Sequence, residues 1–355
     1  MMVRLAENLC DRFDLHIGVV ADTVGAPVCA EVRTHTLGAE RVSRSAGKII
    51  KLIRELRPDI VVSGMYHLNL LCALVKPLLP AGTLVLLRQN GSPDGHAVWG
   101  SQALARLLYR TTYRRSDGVI CQSAAMAREM ANLAGKTTRL YILPNPVQQT
   151  VARLQGKHWN GPGPHLLAVG RLAKEKGFDL LLDAAAALRP SYPSLKIVVL
   201  GGGAEMATLR NKAAELGLGE VVRFEGQVSN PEEWFHGCSA FVLPSRQDAM
   251  PNALLEAALA GLPIVANPAS AGLVDLIRGQ SGVWLGSGCS AAGTLEALRE
   301  CLASIGPSER FEHAWAVRFK AERAAEQWES LFHSLLSSKH PAYGSTPGVA
   351  GANAD

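Results

Sequence analysis

A chain of 355 residues is longer than one ordinary domain and fits two domains of common size. With 48% hydrophobic and 19% charged residues it can bury sizeable cores, which excludes global disorder, and no apolar run is long enough to span a bilayer. The net charge of +5 is uneven: residues 1–150 hold 18 Lys and Arg against 11 Asp and Glu, the remainder 18 against 20, so an anionic surface would meet the first half.

The opening MMVRLAENLCDRFD carries charges where a signal peptide needs an apolar stretch, which argues against secretion and for a cytoplasmic protein. Residues 3–13 read as a helix, followed by short buried strands at 16–21, 60–64, 83–87, 118–122 and 140–143. Helical patterns at 46–56 and 101–115 lie between them. The stretch 155–164 (QGKHWNGPGP) is the best linker candidate. Strands then recur at 165–170, 196–201, 221–226, 240–245, 263–267 and 282–286. Strands alternating with helices predict an α/β chain with parallel sheets, helices on both faces, and two Rossmann-like domains separated by a cleft. The expected boundaries are 1–150, 151–319, a helix at 320–338 packing back on the first domain, and a disordered tail at 339–355.

Seven cysteines, at 10, 29, 72, 121, 238, 289 and 301, form an odd, scattered set without a C-x-x-C. They read as buried thiols in a reducing compartment rather than a disulfide framework or zinc site, so no metal is expected. No zinc finger or RNP motif points to nucleic acid.

Three motifs carry chemistry. In SRQDAMPNALLEAALAGLPIVAN (245–267), Asp248 precedes a helix that Asn252 is placed to cap, and Glu256 follows eight residues later. Gly261 and Pro263 end the helix. Both carboxylates can border one cleft, with the free N–H groups of the helix N-terminus between them suited to phosphate; they equally suit plain acids near a helix start. In VGRLAKEKGF (169–178), Arg171 and Lys176 lie where a strand ends at Gly170, placed to clamp a diphosphate or to form a solvated charged loop. In LGGG (200–203), glycines around Gly202 permit close backbone approach to a ligand or a tight turn.

In this order and spacing, the three motifs resemble glycosyltransferase family 4, retaining nucleotide-sugar-dependent enzymes of the GT-B fold. The resemblance is tightest over 165–286 and extends loosely through PDIVVSGMYHLNLL (58–71), SDGVICQS (116–123) and LPNPV (143–147). It implies that Arg171 and Lys176 bind the diphosphate, that Glu256 holds the ribose, and that Asp248, where Glu is usual, contacts sugar hydroxyls. Backbone from Ala249 through Met250, Pro251 and Asn252 to Ala253 would meet sugar and phosphate, with Phe224, Gly226 and Val228 lining the base. The implied reaction is transfer of a sugar, with retention and without metal, from a nucleotide diphosphate donor to a glycan or lipid-linked acceptor in cell-surface polysaccharide or glycolipid synthesis. A nucleotide-sugar epimerase of the same fold and a non-catalytic partner of an active transferase are the alternatives.

His67 follows the strand at 60–64, a position that the resemblance implies faces the interdomain cleft, touching donor or acceptor; the alternative is a local hydrogen bond at a helix start. Arg88, Gln89 and Asn90 are similarly placed. Arg106, Arg110, Arg114 and Arg115 fall near one helix face, which suits anionic lipid headgroups and a peripheral position on the inner face of the membrane, or a solvated face. The family normally opens with a buried strand and a glycine-rich loop, for which this chain has no counterpart ahead of residues 3–13. The expectation is that the reading frame continues upstream by about 20 residues, a strand and a turn, and that the strands flanking the vacant position are left as edges.

Overall fold

The computed structural model describes residues 2–21, 29–91, 102–135, 138–148, 159, 162–306 and 308–339, with backbone alone at 102–106 and 339. Two α/β units with parallel sheets follow one another along the chain.

In the first unit, β3 (Ile60–Ser63), β4 (Leu84–Arg88), β5 (Gly118–Cys121) and β6 (Leu140–Ile142) form one parallel sheet in chain order. Alternation along β4 sends Val85 and Leu87 to one face and Leu86 to the other. Both faces are covered, which is why these strands read as continuous apolar runs. The first face packs on α2 (Ala46–Leu56), α3 (Tyr66–Val75), α4 (Gln102–Thr112) and α5 (Ala124–Ala134). The second is covered by α1 (Met2–Glu7) and by α11 (Ala321–Lys339), which returns from the far end of the chain. Trp328 of α11 is fully buried there among Leu5, Leu9, Leu86 and Ile120. A parallel bridge between Val147 and Lys320 lays the two crossing segments side by side.

β1 (His16–Val19) and β2 (Arg33–Thr36) pair in parallel with each other and form a separate sheet. Among the described residues no ladder joins β1 to β3, so both are edge strands. β2, RTHT, is polar and largely exposed, and carries no hydrophobic pattern for the sequence to show. The predicted helix at 3–13 is regular only to Glu7, and residues 8–13 continue as hydrogen-bonded turns.

The second unit is one six-stranded parallel sheet, β7 (His165–Val169), β8 (Lys196–Leu200), β9 (Val222–Gly226), β10 (Ala240–Leu243), β11 (Ile264–Ala266) and β12 (Val283–Leu285). Its spatial order is β9-β8-β7-β10-β11-β12. The chain runs outward one way from β7 and the other way from β10, which opens a crevice beyond the carboxyl ends of these two neighbours. Helices α6 (Phe178–Leu188), α7 (Met206–Glu215) and α10 (Ala291–Ser304) cover one face; α8 (Asn252–Leu259) and α9 (Ala271–Ile277) cover the other. Among the described residues no helix is long and apolar enough to cross a membrane. Of the expected tail at 339–355, Lys339 still belongs to α11 and 340–355 lie outside the described residues. Of the linker candidate at 155–164, residues 155–158, 160 and 161 likewise fall outside them, whereas Trp159 stacks on His165 with ring centroids 5.0 Å apart.

Candidate functional site

The loops after β7 and β10 meet at the crevice and are laced together. The Arg246 and Gln247 amides donate to the Glu175 carbonyl at 2.8 and 3.2 Å. The Arg246 guanidinium forks onto both Asp179 oxygens at 2.6 Å and reaches the Lys174 carbonyl at 3.0 Å. That pair of charge-assisted bonds holds the Asp179 carboxyl below its ordinary value. Gly177 sits at φ +65°, and a Cβ there would be driven into the Pro244 carbonyl at the end of β10. Only glycine lets the two loops approach so closely. Gly170, at the end of β7, is packed against Gly201 backbone to backbone, while the space beside Gly202 is open.

On this frame the Lys176 ammonium forms an ion pair with the Asp248 carboxylate, the two side chains 23% and 11% exposed. The family resemblance implies the diphosphate for one and the sugar for the other; the fold places them in contact. Arg171 is well exposed, and its guanidinium bonds Glu175 at 2.6 Å, so each cation of the motif has its own carboxylate.

Asn252 does not cap α8. It is the first helical residue, preceded by Pro251 in extended conformation, and the helix start has no side-chain cap. Its Oδ1 instead accepts from Asn145 Nδ2 at 2.9 Å, across from the first unit. The Asn145 Oδ1 in turn accepts from Arg88 at 2.5 Å. Met250 turns its side chain into the core and Pro251 is buried, so what this segment can offer a ligand is backbone. Ala249 packs against the core of the first unit. Glu256, in the second turn of α8, is 14% exposed, and its Oε1 is held by Arg4 Nη1 of α1 at 2.6 Å. Arg4, Gln148, Glu232, Phe235 and Glu256 line a small pocket beside the helix.

From the first unit, His67 lies exposed in the first turn of α3 with its ring edge-on to Tyr66. Among the described residues it makes no bond to the Lys176–Asp248 pair. Asn69, two residues on, is buried and donates to the Arg88 carbonyl at 2.9 Å. Arg88 is 5% exposed, and desolvation lowers its guanidinium to about 10. Gln89 is buried and accepts from the Tyr113 hydroxyl at 3.1 Å. Gly226, at φ +76°, ends β9 beside open space, and Val228 packs half-buried on the core of the second unit.

Two further expectations are corrected. Helix α4 stops at Thr112 and residues 113–115 tighten into a 3-10 turn, so Arg114 leaves the i, i+4 line drawn from Arg106 and Arg110. The side chain of Arg106 lies outside the described residues, Arg110 and Leu107 are exposed, and Tyr109 is buried in the core. The cysteines are not all isolated buried thiols: Cys10 and Cys29, half-buried, bring their sulfurs together with a Glu31 oxygen, each within 4.8 Å of the others. All seven are free thiols.

Sequence reasoning missed Arg4 and the role of Asn145. Asn145 falls within the quoted LPNPV. Arg4 offered only a weak sign, a lone cation in the opening MMVRLA whose partner lies 252 residues away.

The profile of the glycosyl transferase 4-like domain matches residues 3–146, and that of glycosyl transferases group 1 matches residues 154–314. Among curated relatives, the lipopolysaccharide core biosynthesis glycosyltransferase LpsE of Rhizobium meliloti is 24% identical over 320 residues, 90% of this chain and 87% of LpsE. An exopolysaccharide phosphotransferase of Streptomyces coelicolor is 30% identical over 220 residues, 59% of this chain but 22% of that protein. The chain spans little more than half, or less, of the first curated relatives it matches. The crystal structure of Anabaena HepE in complex with UDP and glucose superposes with a TM-score of 0.79 at 16% identity, covering 94% of this chain and 95% of HepE.

Proposed function

The chain belongs to the glycosyltransferases of the two-domain GT-B fold, and on that premise we propose that it transfers a sugar, with retention, from a nucleotide diphosphate sugar to a glycan or lipid-linked acceptor in polysaccharide or glycolipid synthesis. The observation that carries the reading is the Lys176–Asp248 ion pair at the switch point of the second sheet, in the loops that lead to α8, the helix that carries Glu256. HepE, of the same fold, is described with UDP and glucose and with UDP-glucose.

In this reading the diphosphate lies against the Lys176 ammonium, Arg171 and the N–H groups of α8. As the glycosyl–phosphate bond breaks, negative charge gathers on the leaving diphosphate. Cations and a helix dipole fixed in advance stabilise that charge more than they stabilise the bound donor. The lacing of Arg246 on Asp179 and Glu175 keeps these groups in place without reorganisation. Asp248, shorter by one methylene than Glu, orients sugar hydroxyls, and Glu256 accepts from the ribose. The acceptor enters from the first domain, past His67. Exposed Leu107 beside Arg110 on α4 is the patch assigned to an anionic membrane surface.

The test is a panel of nucleotide sugars read by thermal shift and then by chromatography after incubation. A cognate donor at about 100 Kd adds roughly 2.7 kcal/mol to stability, and nucleoside diphosphate is released when glycan or lipid acceptors are added. Conversion of the donor sugar without acceptor would assign an epimerase instead. Absence of stabilisation by every nucleotide sugar would overturn the reading.

A further inference from the structure

Glu256 has a partner that its motif does not contain. Its carboxylate, held mostly out of solvent in the second turn of α8, is met by Arg4 from the other domain at 2.6 Å. The contact is made by a single nitrogen, Nη1, on a single oxygen, Oε1. Among the described residues no other hydrogen bond reaches this carboxylate, so Oε2 is left to accept.

A carboxylate facing a nucleotide diphosphate has two difficulties. It repels the phosphates, and as a flexible side chain it must give up rotamer freedom before it can bind a ribose hydroxyl. Arg4 removes both, since its cation balances the charge and its bond fixes the rotamer. Arg4 also belongs to the opposite domain. The relay from Arg88 through Asn145 to Asn252 grips the first residue of the same helix from that side. Helix α8 is therefore held at both of its turns by the first domain.

We propose that Arg4 is a positioning residue of the donor site, supplied by the N-terminal domain: it holds Glu256 by one oxygen so that the other accepts a ribose hydroxyl. This rests on the reading of Glu256 as the ribose-binding acid.

Calorimetry on the full chain with UDP, GDP and ADP in turn tests it, using Arg4→Gln, Arg4→Lys, Glu256→Gln and the double variant, each checked for an unchanged melt. Arg4→Gln and Glu256→Gln should each weaken the nucleotide that binds by about tenfold. Because the two act as one unit, the double variant should be no weaker than the poorer single one. Arg4→Lys, which keeps the charge and loses the planar fork, should recover part of the affinity. Arg4→Gln binding as tightly as the unaltered chain, or more tightly, would overturn the proposal, as would losses that multiply to about a hundredfold in the double variant. If Glu256→Gln is silent while the unaltered chain binds nucleotide, the ribose reading itself fails and takes the proposal with it.

Discussion

Replacing Gly177 by alanine tests the frame of the site with a single methyl group. Gly177 follows Lys176 at φ +65°, and an added Cβ would lie closer than 3.0 Å to the Pro244 carbonyl oxygen, a backbone atom with no rotamer to yield. The left-handed conformation alone costs roughly 1–2 kcal/mol for an L-residue. Relieving the clash moves the Lys176 loop by on the order of 1 Å, a displacement that in an organised site can cost about 100-fold in rate. For a domain of this size, a loss of about 2 kcal/mol lowers the melting temperature by roughly 4–8 °C. The assay pairs thermal melts with nucleotide calorimetry and donor turnover. Gly219→Ala is the control, because nothing lies within 4 Å of its Cβ position and its φ is not positive. Gly177→Ala melting and binding like Gly219→Ala would refute the claim that the loops after β7 and β10 are pressed together to build the site.

Trp328→Ala should cost about 3–5 kcal/mol in urea unfolding, since a fully buried indole that joins α11 to the first domain leaves a large cavity; a loss under about 1 kcal/mol would mean the site collapses freely. His313 is buried, donates Nε2–H to the Leu262 carbonyl at 2.8 Å, and burial holds its pKa below the ordinary value of 6.5. The native ring stays neutral where the unfolded one takes a proton, so stability should fall as pH drops below about 6.5, and His313→Gln should flatten that slope. Burial pushes the Cys72 thiol up to about 11 and those of Cys121, Cys238 and Cys301 to about 12. Alkylation followed by mass spectrometry at about pH 8 should therefore label the half-buried Cys10 and Cys289 first, Cys29 more slowly because its hydrogen bond with Cys10 pushes its thiol up to about 11, and the four buried thiols only once the chain is unfolded.

What the sequence disclosed and what it hid follow one physical division. Strands buried on both faces announce themselves as apolar runs, and every strand from β3 onward begins within a residue of its expected start. The β7 and β10 loops were legible because their chemistry is local: glycine at a strand end, cations in a turn, acids about a helix start. The polar strand β2 was hidden because its hydrogen bonds are made by backbone, whatever the side chains. The Asn252 cap was misread because an asparagine at a helix start satisfies the local rule equally well when its side chain turns to another domain. Arg4 on Glu256 and Cys10 beside Cys29 are juxtapositions made by tertiary structure, and no local pattern encodes them.

A crystal structure of the chain with the nucleoside diphosphate that binds it would decide whether the crevice beyond β7 and β10 is a nucleotide-sugar donor site. The diphosphate should lie within hydrogen-bond reach of Lys176 Nζ and the first amides of α8, with a ribose hydroxyl on Glu256 Oε2. A nucleotide bound elsewhere, with Lys176 still paired to Asp248 and Glu256 untouched, would contradict that assignment.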